Sequence, residues 1–219
     1  SDVYKRQGKG DVYNVSELAI TLKSLAEARN FLSKFEIAHN YYVQCYNNQV
    51  KESPRHQANV KMARLYISHF IQVLNLSVLR SEIKSVHKKL YDLPVDNATV
   101  PDLASEAAMV DWGKRIIEGE RRRTSQGGVP IYNPTIAKVK VHYDIFVDSY
   151  EKQRALQALT NRSLEELSSM RARADELILD IWNQVEEKFQ NVFPNEARLD
   201  KCRDYGLIYY YRTGEKQTE

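Results

Sequence analysis

Glycine is scarce in this sequence and unevenly placed. Eight glycines in 219 residues lie in three places: Gly8 and Gly10, the central group Gly113, Gly119, Gly127 and Gly128, and Gly206 with Gly214. The two long intervals between them hold no flexible break, so they are free to be helix. Cysteine is nearly absent. Cys45 and Cys202 share no C-x-x-C or Cys/His spacing, which excludes a disulfide framework and a zinc site of that type. A reducing cytoplasm fits that usage. Long hydrophobic runs are missing too: the most apolar stretch, Met62 to Leu79, carries Arg64, His69, Gln72 and Asn75, which are costly in a bilayer. No membrane span is expected.

Charge of one sign is also lacking, since 32 basic and 29 acidic side chains leave a net charge of +3. A whole-molecule pull on nucleic acid or membrane is excluded, and only a local patch has that capacity. Neither G-x-x-x-x-G-K-[ST] nor G-x-G-x-x-G occurs, so Gly127-Gly128 is no phosphate loop of those kinds, and no motif asks for a cofactor.

What is present is helical periodicity. Leu25, Ala28, Leu32, Phe35, His39, Tyr42 and Tyr46 follow steps of three and four, predicting a helix from about Ser16 to Gln49. Ser53-Pro54 reads as an N-cap with proline at the first helical position, opening a second helix with Val60, Ala63, Ile67, Phe70, Leu74 and Val78 on one stripe. A short connection between two such helices makes them antiparallel. The plan recurs after Asn133-Pro134. Ile136, Val139, Tyr143, Phe146 and Tyr150 form one stripe, Thr160-Asn161-Arg162 reads as a turn, and Ser163 with Glu166 reads as a capping box. Leu167, Met170, Ala174, Leu177, Ile181, Val185 and Phe189 mark the last long helix.

The expectation is an all-α fold: two duplicated antiparallel hairpins, residues 16–91 and 133–191, joined by 92–132 and closing a four-helix bundle within residues 8–205. A short central helix falls within Pro101 to Arg123, and residues 206–219 form an aromatic C-terminal arm, extended or strand-like. The alternative for the second hairpin is one uninterrupted helix from Pro134 to Asn191, which no glycine or proline forbids. Residues 1–7 are set aside, because Asp-Val-Tyr-Lys-Arg-Gln is what one frame of a transposon sequencing adapter encodes. On that reading the natural N-terminus is missing.

Candidate sites are few. Glu36 and His39 have the E-x-x-H spacing of di-iron helical bundles, but neither a second such pair nor two further inward glutamates accompany them, so a histidine on a helix seam is the better reading and no metal is expected. Arg80 and His87 resemble, loosely, the arginine and histidine of HEPN-type ribonucleases, an all-helical family in which the pair would act on an RNA phosphodiester; Lys84, Lys88 and Lys89 beside them favour a solvated face instead. Trp112, Lys114, Arg115, Arg121, Arg122 and Arg123 concentrate charge and one stacking ring, a pattern able to grip phosphates; charges that solvate a helix end, with Trp112, Ile116 and Ile117 in the core, are the better reading. Tyr209, Tyr210 and Tyr211 can fill a bundle seam with their rings and, second, supply an aromatic surface for a partner.

Trp112 to Glu120, Gly127 to Thr135 and Ile181 to Phe189 resemble segments of a group of uncharacterised bacterial helical proteins. The resemblance covers about the last half of the chain and implies a bacterial origin, with no activity or functional residues to carry over. The residues therefore point to a non-enzymatic protein that binds a protein partner or itself. Nucleic-acid binding through residues 114–123 is the second reading and an Arg80/His87 ribonuclease the third.

Overall fold

The computed structural model describes residues 18–210. The adapter-like segment 1–7, the expected helix start at Ser16, Tyr211 and the rest of the arm lie outside them. Five α-helices and one 3-10 helix account for most of the described residues: α1 (Leu22–Leu79), the 3-10 helix Ser85–Tyr91, α2 (Glu106–Ser125), α3 (Ile136–Ser169), α4 (Arg171–Phe189) and α5 (Asn195–Asp204). Among the described residues there is no strand, only a bridge between Tyr132 and Thr135. The chain divides into two compact units, Val43–Arg162 on one side and residues 18–42 with 163–210 on the other.

The all-α reading is right, but the hairpins are not where the caps placed them. No turn forms at Ser53-Pro54, and α1 runs through Pro54 without interruption. Proline there removes the N–H that would bond the Val50 carbonyl, yet the apolar stripes on either side carry the helix across the gap. Ser163 does not start a helix either. It is buried inside α3, and Thr160 before it back-bonds to the Leu156 carbonyl at 3.0 Å, as helical threonines do. The only interruption between Ile136 and Phe189 is Met170, whose φ of −78° and ψ of −12° keep the backbone near the helical region. The single-helix alternative is thus nearer the structure than a turn at residues 160–162. Local caps lost to tertiary pairing, because each half of α1 has a partner distant in sequence.

In Val43–Arg162 that partner is α3. Glu52 meets Lys152 at 2.8 Å, His56 meets Ser149 at 3.1 Å, and Tyr66 stacks on His142 with centroids 4.2 Å apart; the falling numbers on α3 make the pair antiparallel. The expected stripe on α1 is the core: Ala63, Ile67, Phe70 and Leu74 are sealed from solvent, as are Val139 and Phe146 of α3 and Met109 and Ile116 of α2. Three helices and the 3-10 helix build this core, in place of four equal helices. Ser105 caps α2 by accepting from the Ala108 N–H at 3.1 Å, and Gly127, at a φ of +87°, closes its far end. Thr135, two residues after the expected Asn133, supplies the oxygen that caps α3.

In the other unit, Thr21, Ser24 and Glu27 at the start of α1 bond to Gln184, Asp180 and Arg173 of α4, again antiparallel. A small core joins Ala19, Val185, Cys202 and Leu207. The described part of the C-terminal arm forms no strand. Leu207 is buried in that core, and the Tyr209 hydroxyl donates to Glu186 at 2.8 Å.

An uninterrupted α1 makes Pro54 a cost and not a cap. Replacing Pro54, which is exposed, with alanine is expected to stabilise the protein by about 1–3 kcal/mol, by restoring one helical hydrogen bond. A lower urea midpoint for Pro54→Ala would mean that the chain turns at residue 54 after all.

Candidate functional site

The central basic cluster does not form one surface. Arg123 is the correction that matters most: it lies inside the protein, its side chain 3% exposed, paired with Glu120, which is fully buried. The Glu120 carboxylate is saturated. Oε1 accepts from Arg123 Nη2 at 2.9 Å and from the Ile131 N–H at 3.1 Å, while Oε2 accepts from Arg123 Nε at 3.0 Å and from the Tyr91 hydroxyl. Arg123 Nη2 also donates to the Val129 carbonyl at 2.8 Å. Burial, followed by the hydrogen bond to Glu120, pushes the Tyr91 hydroxyl far above its ordinary range, so it stays a donor. Gly119 is required beside it, because a Cβ there would stand 2.4 Å from the Tyr91 ring. Gly113 admits the Tyr143 ring in the same way, at 2.3 Å.

The rest of the cluster divides its charge. Arg115 pairs with Asp111 at 2.7 Å and lies over the Trp112 ring, 4.9 Å from its centroid, so the stacking face of Trp112 is already covered. Trp112 is half-buried against the core, Arg122 leans on Glu118 at 3.7 Å, and Lys114 and Arg121 are exposed. Tyr210 is exposed and Tyr209 is tied to Glu186, while Tyr211 lies outside the described residues. His39, expected on a seam, is exposed together with Glu36. Among the described residues no three metal-ligating side chains come together.

Two arrangements were not legible in the sequence. His56 is buried between α1, α2 and α3, with Nδ1 3.1 Å from Ser149 Oγ and Nε2 3.1 Å from Glu106 Oε1. Serine, histidine and carboxylate in contact resemble a hydrolytic triad, but the hydroxyl donates to the Phe146 carbonyl at 2.9 Å and so meets the imidazole as an acceptor. Glu106 is close enough to pair with Nε2 without being aligned as a hydrogen bond. The trio is a polar layer in the helix seam. Nothing in the spacing of residues 56, 106 and 149 announces it.

The second is a cleft of about 750 Å³ within Val43–Arg162. Arg80, Lys84 and His87 all line it, with the end of α1 on one side and the connector Gly127–Asn133 on the other, so the one cleft that the ribonuclease expectation required is present. Arg80 is held by Glu82, with Nε 2.9 Å from the carboxylate.

A third surface is legible once α1 is known to be continuous. Met62, Leu65, Leu76 and Leu79 are 39%, 56%, 51% and 71% exposed. With His69 and Gln72 they form a stripe at residues 62, 65, 69, 72, 76 and 79, on the side of α1 opposite Ala63, Ile67 and Leu74. A helix with apolar residues on both faces has one more face than the described residues cover.

The chain matches no family model, no curated protein and no solved structure, so function rests on this chemistry alone.

The Glu120–Arg123 pair separates the arginines in a measurable way. Arg123→Ala is expected to cost about 3–5 kcal/mol in chemical denaturation, because it strands a buried carboxylate. Arg121→Ala and Arg122→Ala should stay within about 0.5 kcal/mol of the parent. Equal effects at the three positions would contradict the buried pair.

Proposed function

We propose that this chain is a non-enzymatic helical protein of the cytoplasm that works by self-association, two copies pairing through the outer face of α1. The observation that carries this reading is the symmetry of the exposed stripe. Its steps, three, four, three, four, three, read the same in both directions. When two copies cross antiparallel about a two-fold axis between residues 70 and 71, Met62 faces Leu79, Leu65 faces Leu76, and His69 faces Gln72. Apolar side chains then meet apolar ones, and the two polar positions meet at the centre, where a hydrogen bond can set the register. Lys61 falls opposite Arg80, whose charge Glu82 already balances.

Steps of three and four keep a seam in line along two packed helices, and large aliphatic side chains left in water are the driving force for closing it. The buried places of Arg123 and Glu120 and the covered ring of Trp112 favour this reading over nucleic-acid binding through residues 114–123.

Light scattering coupled to size-exclusion chromatography tests the register as well as the association. The parent should run as a dimer, and Leu65→Glu should weaken dimerisation at least roughly tenfold by placing a charge in an apolar seam. Adding Leu76→Lys to that variant should restore the dimer, since residue 65 of one copy faces residue 76 of the other. A monomeric parent, or a double variant no better than Leu65→Glu alone, would overturn the pairing.

A further inference from the structure

The cleft at the end of α1 has features that neither helix packing nor self-association uses. At its floor, Arg123 spends Nε and Nη2 on Glu120, Tyr91 and the Val129 carbonyl, while no described residue accepts from its Nη1. That nitrogen lies beside Gly128, where a Cβ would stand 2.8 Å from it, and both residues line the cleft. A guanidinium edge on a side chain only 3% exposed therefore faces the cleft. Above it, Lys84 and His87 line the same space, and neither side chain has a partner among the described residues. Glu82 offsets Arg80 and Glu120 offsets Arg123, so Lys84 leaves the lining with a net positive charge. Unpaired donors gathered around one space on the positive side of neutrality suit an anion with several acceptor oxygens.

The backbone holds this arrangement at some cost. Two residues past the end of α1, Ser81 takes a φ of 62°, in the left-handed region where glycine is ordinarily found, and the Ser77 carbonyl accepts from both Glu82 and Ile83 N–H groups. The reversal puts Arg80, Lys84 and His87 on one rim. Serine there fills a helix-stop position that glycine usually takes.

The rest of the cleft is not polar. Val73, Ile83 and Ile131 form its walls, and the Tyr132 ring stands at the opening, 78% exposed. A volume of about 750 Å³ falls within the range of small-molecule sites. We infer that the cleft between the end of α1 and the Gly127–Asn133 connector binds a small phosphate monoester with a flat or apolar body, of the nucleoside monophosphate type. Arg123 Nη1, Lys84 and His87 take the phosphate, and Tyr132 lies against the body. A phosphate monoester, with nearly two negative charges and three free oxygens, uses all three donors.

Titration calorimetry on the whole protein with adenosine 5′-monophosphate, adenosine and inorganic phosphate tests this. The monophosphate should bind more tightly than either of its parts, and more weakly as salt is raised. Lys84→Ala and His87→Ala should each lower its affinity, the first by about tenfold, the loss of one charge-assisted contact. Tyr132→Ala should weaken the monophosphate while leaving inorganic phosphate unchanged. These side chains are exposed or half-buried without structural partners, so circular dichroism should match the parent. No heat with the monophosphate, adenosine binding as tightly, inorganic phosphate binding as tightly, or affinity indifferent to Lys84→Ala would each overturn the proposal. Tighter binding of a short RNA than of the monophosphate would overturn it as well, in favour of a polymer.

Discussion

The organisation of Val43–Arg162 hangs on one buried carboxylate. Glu120 has no contact with water, and a charge in that position is tolerated only because each of its lone-pair directions is met: twice by Arg123, once by Tyr91 and once by the Ile131 backbone. Those partners come from three different parts of the chain. The interaction therefore fastens the 3-10 helix and the connector before α3 to the last turns of α2, and it demands Gly119 next to it so that the Tyr91 ring can approach. The aliphatic core around Phe70, Leu74 and Ile116 supplies most of the driving force for folding, but it is tolerant of position. The hydrogen-bonded pair is not, and it decides where the connector runs.

The cleft follows from the same constraint. Because Arg123 is turned inward to meet Glu120, its remaining nitrogen faces the space beneath the connector, and Gly128 leaves that nitrogen uncovered. A structural ion pair and a candidate anion site thus share one guanidinium. Arginine allows this because its fixed fork presents donors in several directions at once, where a lysine would offer a single point charge.

Self-association and ligand binding occupy neighbouring stretches of α1. The exposed stripe ends at Leu79, and Arg80 begins the rim of the cleft. The stripe exists because α1 is a helix with two apolar faces, one packed on α2 and α3 and the other turned outward. Its continuity through Pro54 shows how far tertiary pairing overrides a local stop signal: a lost hydrogen bond is small beside the burial of an entire helix face.

The sequence by itself determined the helical class and the core stripes on the second half of α1, on α3 and on α4, because these depend on spacing within a few residues. It misplaced the turns for the same reason: Ser53-Pro54 and Ser163 with Glu166 satisfy the local rules for helix starts, and those rules cannot register a partner helix about a hundred residues away. The basic run from Lys114 to Arg123 looked like a surface because arginine is ordinarily exposed; only the fold brought Glu120, Tyr91 and Ile131 around Arg123 and took it inside. Arg80 and His87 were visible as residue types, but their meeting with Gly128 and Tyr132 depends on a connector that the buried carboxylate holds in place. Periodicity is a local property and can be read from the chain. Which charge is buried, and which cleft that burial creates, was decided only by the tertiary structure, because the compensating hydrogen bonds come from residues far apart in sequence.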